Sequence, residues 1–186
     1  SDLNPYKFDM EKAGQLMDEA GWKMGSDGFR YKDGQKFSVN WLVYTDSSWP
    51  GTLSGMAADT WKQLGVDLKI ELMDFDTVVS RTMDPEPADK DFDIYTMGFV
   101  LSIDPDPTGA LFDDDAYVAG GFNSSGYKNA DAMELVKKGK AEFDMAKRAE
   151  IYKEWAAIMN EEIPHIIIAY RKELWGINTR VKGMDL

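Results

Sequence analysis

Cysteine is absent from this chain of 186 residues, histidine occurs once, and lysine and arginine together number 21 against 33 aspartates and glutamates. Without cysteine there is no disulfide, no thiolate zinc site and no cysteine nucleophile. The shortage of cations leaves a formal net charge of -12. That argues against nucleic acid or an anionic lipid surface as a partner, since both demand clustered Lys and Arg. Long apolar runs are missing too, and the longest, from Ile166 to Tyr170, is far too short to cross a bilayer. The patterns G-x-S-x-G, G-x-G-x-x-G and G-x-x-x-x-G-K-[ST] do not occur. A nucleophile elbow, a dinucleotide turn and a phosphate-cradling loop are therefore not signalled. The chain opens at Ser1 with neither an initiator methionine nor a charged and apolar export signal, so it reads as a processed piece.

What is present is globular: 44% apolar and 12% aromatic residues, without a low-complexity tract or fixed-period repeat. One domain, residues 1–186, is the expectation from length. The acids are unevenly placed. Ten fall between Asp84 and Asp115 against Lys90 alone, so this window holds nine of the net negative charges. Such a run reads either as solvated acidic loops or as a rim that attracts cationic ligands.

Apolar periodicity predicts a helix over 10–20, capped by Asp9 and stopped by Gly21. Asp27-Gly28 and Lys32-Asp33-Gly34-Gln35 predict a hairpin, followed by a strand over 37–44. A loop over 46–51, a helix over 56–64 and an alternating strand over 66–72 come next. In that strand Val66, Leu68, Ile70 and Leu72 point inward. A helix between two strands is the pattern of a crossover joining parallel strands. A short helix over 75–83, a surface loop over 84–90 and a third strand over 92–100 complete that half. Helices over 130–141 and 145–160 follow, the second burying Met145, Ala149, Tyr152, Trp155, Ala156 and Met159. A final strand spans 166–175. The order gives an α/β fold with a mostly parallel sheet flanked by helices.

In such sheets ligands collect outside the carboxyl ends of the strands. Three segments leave those ends: 44–51, 73–77 and 98–107. The first carries Tyr44, Thr45, Asp46 and Trp49, and the third Gly98, Phe99, Ser102, Asp104 and Asp106. Trp49, beside Pro50-Gly51 in a predicted loop, suits stacking on a ligand or packing on a second domain. Gly98 at a strand end is consistent with close approach of another group's backbone or with relief of twist. Phe99 is read either as core or as part of the cleft. His165, between Pro164 and Ile166, reads as a hydrogen-bonded structural residue rather than a general base. Asp104, Asp106 and Asp113 to Asp115 offer carboxylates, but their spacing is not that of a calcium loop. No metal or cofactor is expected.

Four ordered stretches carry a resemblance. Phe8-Asp9-Met10-Glu11-Lys12-Ala13 through Glu19-Ala20-Gly21-Trp22 leads into a hairpin. Asp93-Ile94-Tyr95-Thr96-Met97-Gly98-Phe99 is followed by Asp104-Pro105-Asp106-Pro107. Asn123-Ser124-Ser125-Gly126-Tyr127-Lys128-Asn129-Ala130-Asp131 precedes the helical pair, and Arg148 to Tyr152 leads to Ile163-Pro164-His165-Ile166-Ile167. In this order they resemble the second lobe of the peptide-binding group of extracytoplasmic solute-binding proteins that serve ABC importers.

The resemblance implies one lobe of a type II periplasmic-binding-protein-like fold. It implies a non-enzymatic protein that encloses an oligopeptide between two lobes, outside the cytoplasm, and delivers it to permease subunits. A first lobe and a closing C-terminal segment would flank the piece, leaving a cleft face with Trp49 and Phe99 exposed. It also implies that the residues after Gly98, among them Phe99, Val100, Leu101 and Ser102, line the cleft. Asp104, with Asp106 second, would pair with the amino terminus of a bound peptide. Phe99 stands where the family usually has Trp, and the step from Gly98 to the acid is longer than in some members. An oligosaccharide or a metal chelate is the alternative ligand. A carboxylate hydrolase using two of Asp104, Asp106 and Asp113 is the competing enzyme reading.

Overall fold

The computed structural model of the chain describes residues 3–100, 111–170, 172, 176–178 and 180–183. Helix α1, Met10–Glu19, begins where the Asp9 carboxylate accepts the Lys12 N–H at 2.8 Å. Gly21, at φ +91°, leads the chain out of it. Trp22 then stacks on Phe37 with ring centroids 4.5 Å apart. Between them lies a small antiparallel sheet of β1 (Lys23–Met24), β2 (Arg30–Lys32) and β3 (Gln35–Lys36). Asp33 and Gly34 both sit at positive φ, 51° and 79°, as a two-residue hairpin turn requires.

A second, parallel sheet carries the core. Its central strand β4, Ser38–Tyr44, pairs with β5, Asp67–Met73, on one side and with β6, Ile94–Tyr95, on the other. Trp41 faces Ile70 in one ladder and Ile94 in the other. Leu42 and Val43 are wholly buried, each contributing about 1.5–3 kcal/mol by leaving water. Helix α2, Ser48–Gln63, is the crossover between β4 and β5 and packs on both strands, with Trp61 stacked on Trp41. Helix α3, Phe75–Thr82, starts from Asp74, whose carboxylate accepts the Thr77 N–H at 2.9 Å, and packs on β4.

Helices α4, Ala130–Ala141, and α5, Met145–Glu162, pack against each other. Asn129 caps α4 through the Ala132 N–H, and Asp144 caps α5 through the N–H groups of Ala146 and Lys147. Gly139 makes their approach possible, because a Cβ there would lie 2.8 Å from the Tyr152 ring.

Several sequence expectations need correction. Helix α2 starts at Ser48 rather than in the mid-fifties, so Trp49 sits in a helical first turn and not in a loop. Pro50 is tolerated there because the first helical N–H groups have no intrahelical partner to lose. The third strand shrinks from nine residues to Ile94–Tyr95. Leu72 was expected inward, yet it is 62% exposed. Met145 and Ala149 on α5 are also exposed, and Tyr152, Trp155, Ala156 and Met159 are only half-buried, so none of the face expected to be buried is fully buried. No strand forms over 166–170, where Ile166, Ile167, Ile168 and Tyr170 are all exposed; residues 171 and 173–175 of that expected strand lie outside the described residues.

Arg30, which reads in sequence as an ordinary hairpin residue, is a buried hub. It donates to the carbonyl oxygens of Leu64 at 2.7 Å and Trp22 at 2.6 Å, and to the Asp18 carboxylate at 2.8 Å. Three elements, α1, the small sheet and the end of α2, are thereby joined at the amino end of β5.

Candidate functional site at the carboxyl edge of the parallel sheet

Tyr44 closes β4, and the ladder reaches one residue further. The Thr45 N–H donates to the Met73 carbonyl at 2.9 Å, and the Thr45 hydroxyl donates to the same oxygen at 3.1 Å. The Asp46 carboxylate then accepts the Phe75 N–H at 2.7 Å, fastening the turn after β4 to the first residue of α3. These bonds place Tyr44 between two aromatic neighbours. Its ring meets Trp49 edge to face at 6.0 Å and Phe75 edge to face at 5.4 Å. Trp49 is 41% exposed and Phe75 37% exposed. Edge-to-face contacts of this kind hold the rings in defined orientations while leaving apolar surface open at the sheet edge.

On the other side of β4 the chain continues past β6 through Thr96. The Thr96 N–H donates to the Leu42 carbonyl at 3.1 Å, and its hydroxyl accepts the Trp41 indole N–H at 2.9 Å. Gly98, Phe99 and Val100 then leave the sheet, all exposed. A Cβ at Gly98 would touch nothing within 4 Å. The close approach that a strand-end glycine suggested is therefore not made by any described part of this chain. Phe99 turns to a second aromatic group: it stacks on His165 at 6.4 Å and 12°, and His165 in turn lies 4.7 Å from the Phe112 ring.

Tyr44, Thr45 and Trp49 are thus brought together, while Gly98, Phe99 and Val100 form a separate patch beyond the neighbouring strand. Leu101, Ser102, Asp104 and Asp106 lie outside the described residues. Phe75 was not singled out from sequence, although segment 73–77 was; an aromatic directly after a capping aspartate reads there as core. His165 was expected in an apolar strand. It is instead half-buried after α5, its Nε2 has no hydrogen-bond partner, and burial holds its pKa below the ordinary 6.5.

The stretch from Asn123 to Asn129 proves structural. The fully buried Asn123 side chain donates to the Asp113 and Tyr127 carbonyls and accepts the Tyr127 N–H and the Ser125 hydroxyl. Tyr95 bonds to Ser124, tying β6 to this turn. The Tyr127 hydroxyl and the Asn129 amide both donate to Glu162. Burial, and the Glu162 carboxylate that takes its proton in a hydrogen bond, push the Tyr127 phenol above its usual range.

An open depression of about 560 Å³ lies between α1 and the end of α2, at the opposite end of the sheet. Arg30 at its floor already serves carbonyls and Asp18. Among the described residues no group of three or more His, Asp or Glu could hold a metal ion, and no helix is long and apolar enough to cross a membrane.

Residues 1–117 match the family model for the middle part of bacterial extracellular solute-binding proteins, family 5. The oligopeptide-binding protein AppA of Bacillus subtilis is 27% identical over 183 residues, which is 98% of this chain and 33% of that protein. The dipeptide-binding protein of Escherichia coli is 28% identical over 98% of this chain and 32% of its own length. The solved structure of AppA in complex with a nonapeptide matches with a TM-score of 0.80 and 28% identity, covering 88% of this chain and 32% of that one. NikZ from Campylobacter jejuni, solved with Ni(L-His), shares the fold at a TM-score of 0.76 and 22% identity. The chain spans about a third of the length of these relatives. With more than half of its residues inside the family model, the chain belongs to family 5 of the bacterial extracellular solute-binding proteins.

Proposed function

We propose that this chain is the second lobe of a two-lobe protein that captures oligopeptides outside the cytoplasm and delivers them to an ABC permease. The observation that carries the reading is the likeness, at 28% identity and a TM-score of 0.80, to AppA holding a nonapeptide. Supporting it, the carboxyl edge of the parallel sheet presents Trp49, Phe75, Phe99 and Val100 to solvent rather than to the chain's own core. Tyr44, Thr45, Trp49, Gly98, Phe99 and Val100 form this lobe's half of the cleft. Leu101 and Ser102 follow them in sequence, and Asp104, with Asp106 second, is the partner of the peptide's amino terminus. For these last four residues the support is the family resemblance alone.

The mechanism is reversible binding with lobe closure and no bond chemistry. Apolar side chains of the ligand cover the exposed rings, and strand-end backbone groups serve its main chain. A metal-chelate ligand draws support only from neighbours below 25% identity, which speak for the fold and not for the cargo. Native mass spectrometry of the purified two-lobe protein tests the reading. Co-purifying short peptides are expected, and an oligosaccharide or a metal complex in their place contradicts it.

A further inference from the structure

We propose that His165 is a positioning residue for this site: stacked on Phe99 and packed against Phe112, its imidazole holds Phe99 at the sheet edge while neutral, so that acidification weakens capture. The inference rests on the capture reading above only for what Phe99 touches. The stack itself is a feature of this chain.

The geometry is specific. Phe99 follows a glycine at which a Cβ would meet nothing within 4 Å. The Phe99 ring lies against His165, nearly parallel at 12°. His165 is held from below by Phe112, at 4.7 Å and 50°, and Phe112 is 7% exposed. Phe112 is itself fixed by Trp155 of α5 at 5.8 Å and by Tyr127 at 5.9 Å. A continuous line of rings therefore runs from the helical pair to the candidate cleft, and His165 is its one titratable link within the physiological range.

Charge on that link is poorly accommodated. Nε2 has no hydrogen-bond partner and is shielded from water. The titratable groups on the described segments that carry its ring neighbours are Asp113, Asp114 and Asp115 after Phe112, Tyr127 with Lys128, and Lys147, Arg148, Glu150, Tyr152, Lys153, Glu154, Glu161 and Glu162 on α5. Asp113 is engaged with the Asp115 N–H, and Glu162 with Tyr127 and Asn129. Among the described residues, desolvation alone shifts the imidazole, and no carboxylate offsets it. The ring faces of Phe99 and Phe112 attract a cation. Against that attraction stands burial, which lowers the imidazole's pKa and would leave the charged ring with an N–H that has no acceptor.

The test compares peptide affinity of the two-lobe protein between about pH 8 and pH 5, using a random pentapeptide pool as probe. The wild type is expected to lose about three- to tenfold in affinity across that range. His165→Phe, which keeps a stacking ring and removes the proton, is expected to flatten the profile whatever its affinity at neutral pH. A wild-type profile that is already flat, or a His165→Phe profile that still falls in acid, overturns the proposal. If the protein takes up no peptide at any pH, the capture reading fails, and the imidazole itself decides the rest by NMR titration. A His165 pKa below 6.5 that moves back toward it in Phe99→Ala supports the positioning contact. An ordinary value in both proteins overturns it.

Discussion

Tyr44 and Phe75 meet edge to face, their ring centroids 5.4 Å apart and their planes at 89°. One ring ends the central strand and the other begins the helix after the neighbouring strand. A single contact therefore couples two of the three segments that leave the carboxyl edge. Removing the Phe75 ring should cost about 1–3 kcal/mol, combining lost area with the aromatic contact. Phe75→Ala is expected to show this in urea unfolding and to weaken peptide binding by freeing Tyr44. Phe75→Leu should recover most of the stability and less of the binding.

Arg30 should be the most sensitive polar residue in this chain. Its guanidinium serves acceptors on α1, on the turn after it and at the end of α2, and only a planar fork reaches all of them. Arg30→Lys is expected to lose about 2–4 kcal/mol, since buried carbonyls are left without donors. Asp18→Asn should be milder because that carboxylate is half in water. Chemical denaturation of the two variants side by side checks the order.

Asn123→Ala should destabilise by about 2–4 kcal/mol, because four hydrogen bonds around one wholly buried amide disappear together. The affected turn carries Ser124, the partner of Tyr95 in β6, so the loss should spread to the third strand. Hydrogen exchange at Ile94 and Tyr95 is expected to accelerate in the variant, while that at Leu42 and Val43 changes little.

Acid should destabilise the fold through carboxylates that are held charged. The Arg30 hydrogen bond holds Asp18 below 3.8, and the Arg81 hydrogen bond holds Glu71 below 4.5. A lowered carboxylate contributes stability above its ordinary pKa and loses it as pH falls through the folded value. The melting temperature should therefore fall as the pH drops below those ordinary values. Arg81→Gln should show a shallower fall, because Glu71 then titrates more nearly as it does in the unfolded chain.

Where residues report on their own local geometry, sequence was sufficient. Asp9 caps α1 as expected, the helix expected over 130–141 has those bounds, and Asp33-Gly34 marks the hairpin. The alternation of Val39, Trp41 and Val43 marks the central strand. The parallel crossover followed from a helix between two strands. Errors arose where a local signal competes with packing. Pro50-Gly51 reads as a turn, yet proline in a first helical turn costs little, so α2 begins earlier and carries Trp49 with it. The isoleucines at 166–168 have strand composition, but composition does not supply a neighbour to pair with. That Tyr44, Thr45 and Trp49 lie together was legible because they end or follow one strand. Phe75 was hidden, since a phenylalanine after a cap looks like core. The ring contacts of His165 emerge only when Phe99 and Phe112, far from it in sequence, come to lie against it.

The most direct test of the carboxyl edge as the ligand face is calorimetric titration of the proposed two-lobe protein with a short peptide. Wild type would be compared with Trp49→Ala and Phe99→Ala at neutral pH. Both rings are partly exposed and each makes an aromatic contact, as Phe75 does, so their loss should cost folding about as much as that of Phe75 and weaken binding about tenfold or more each. Unchanged affinity in both variants would place the ligand elsewhere and contradict the site.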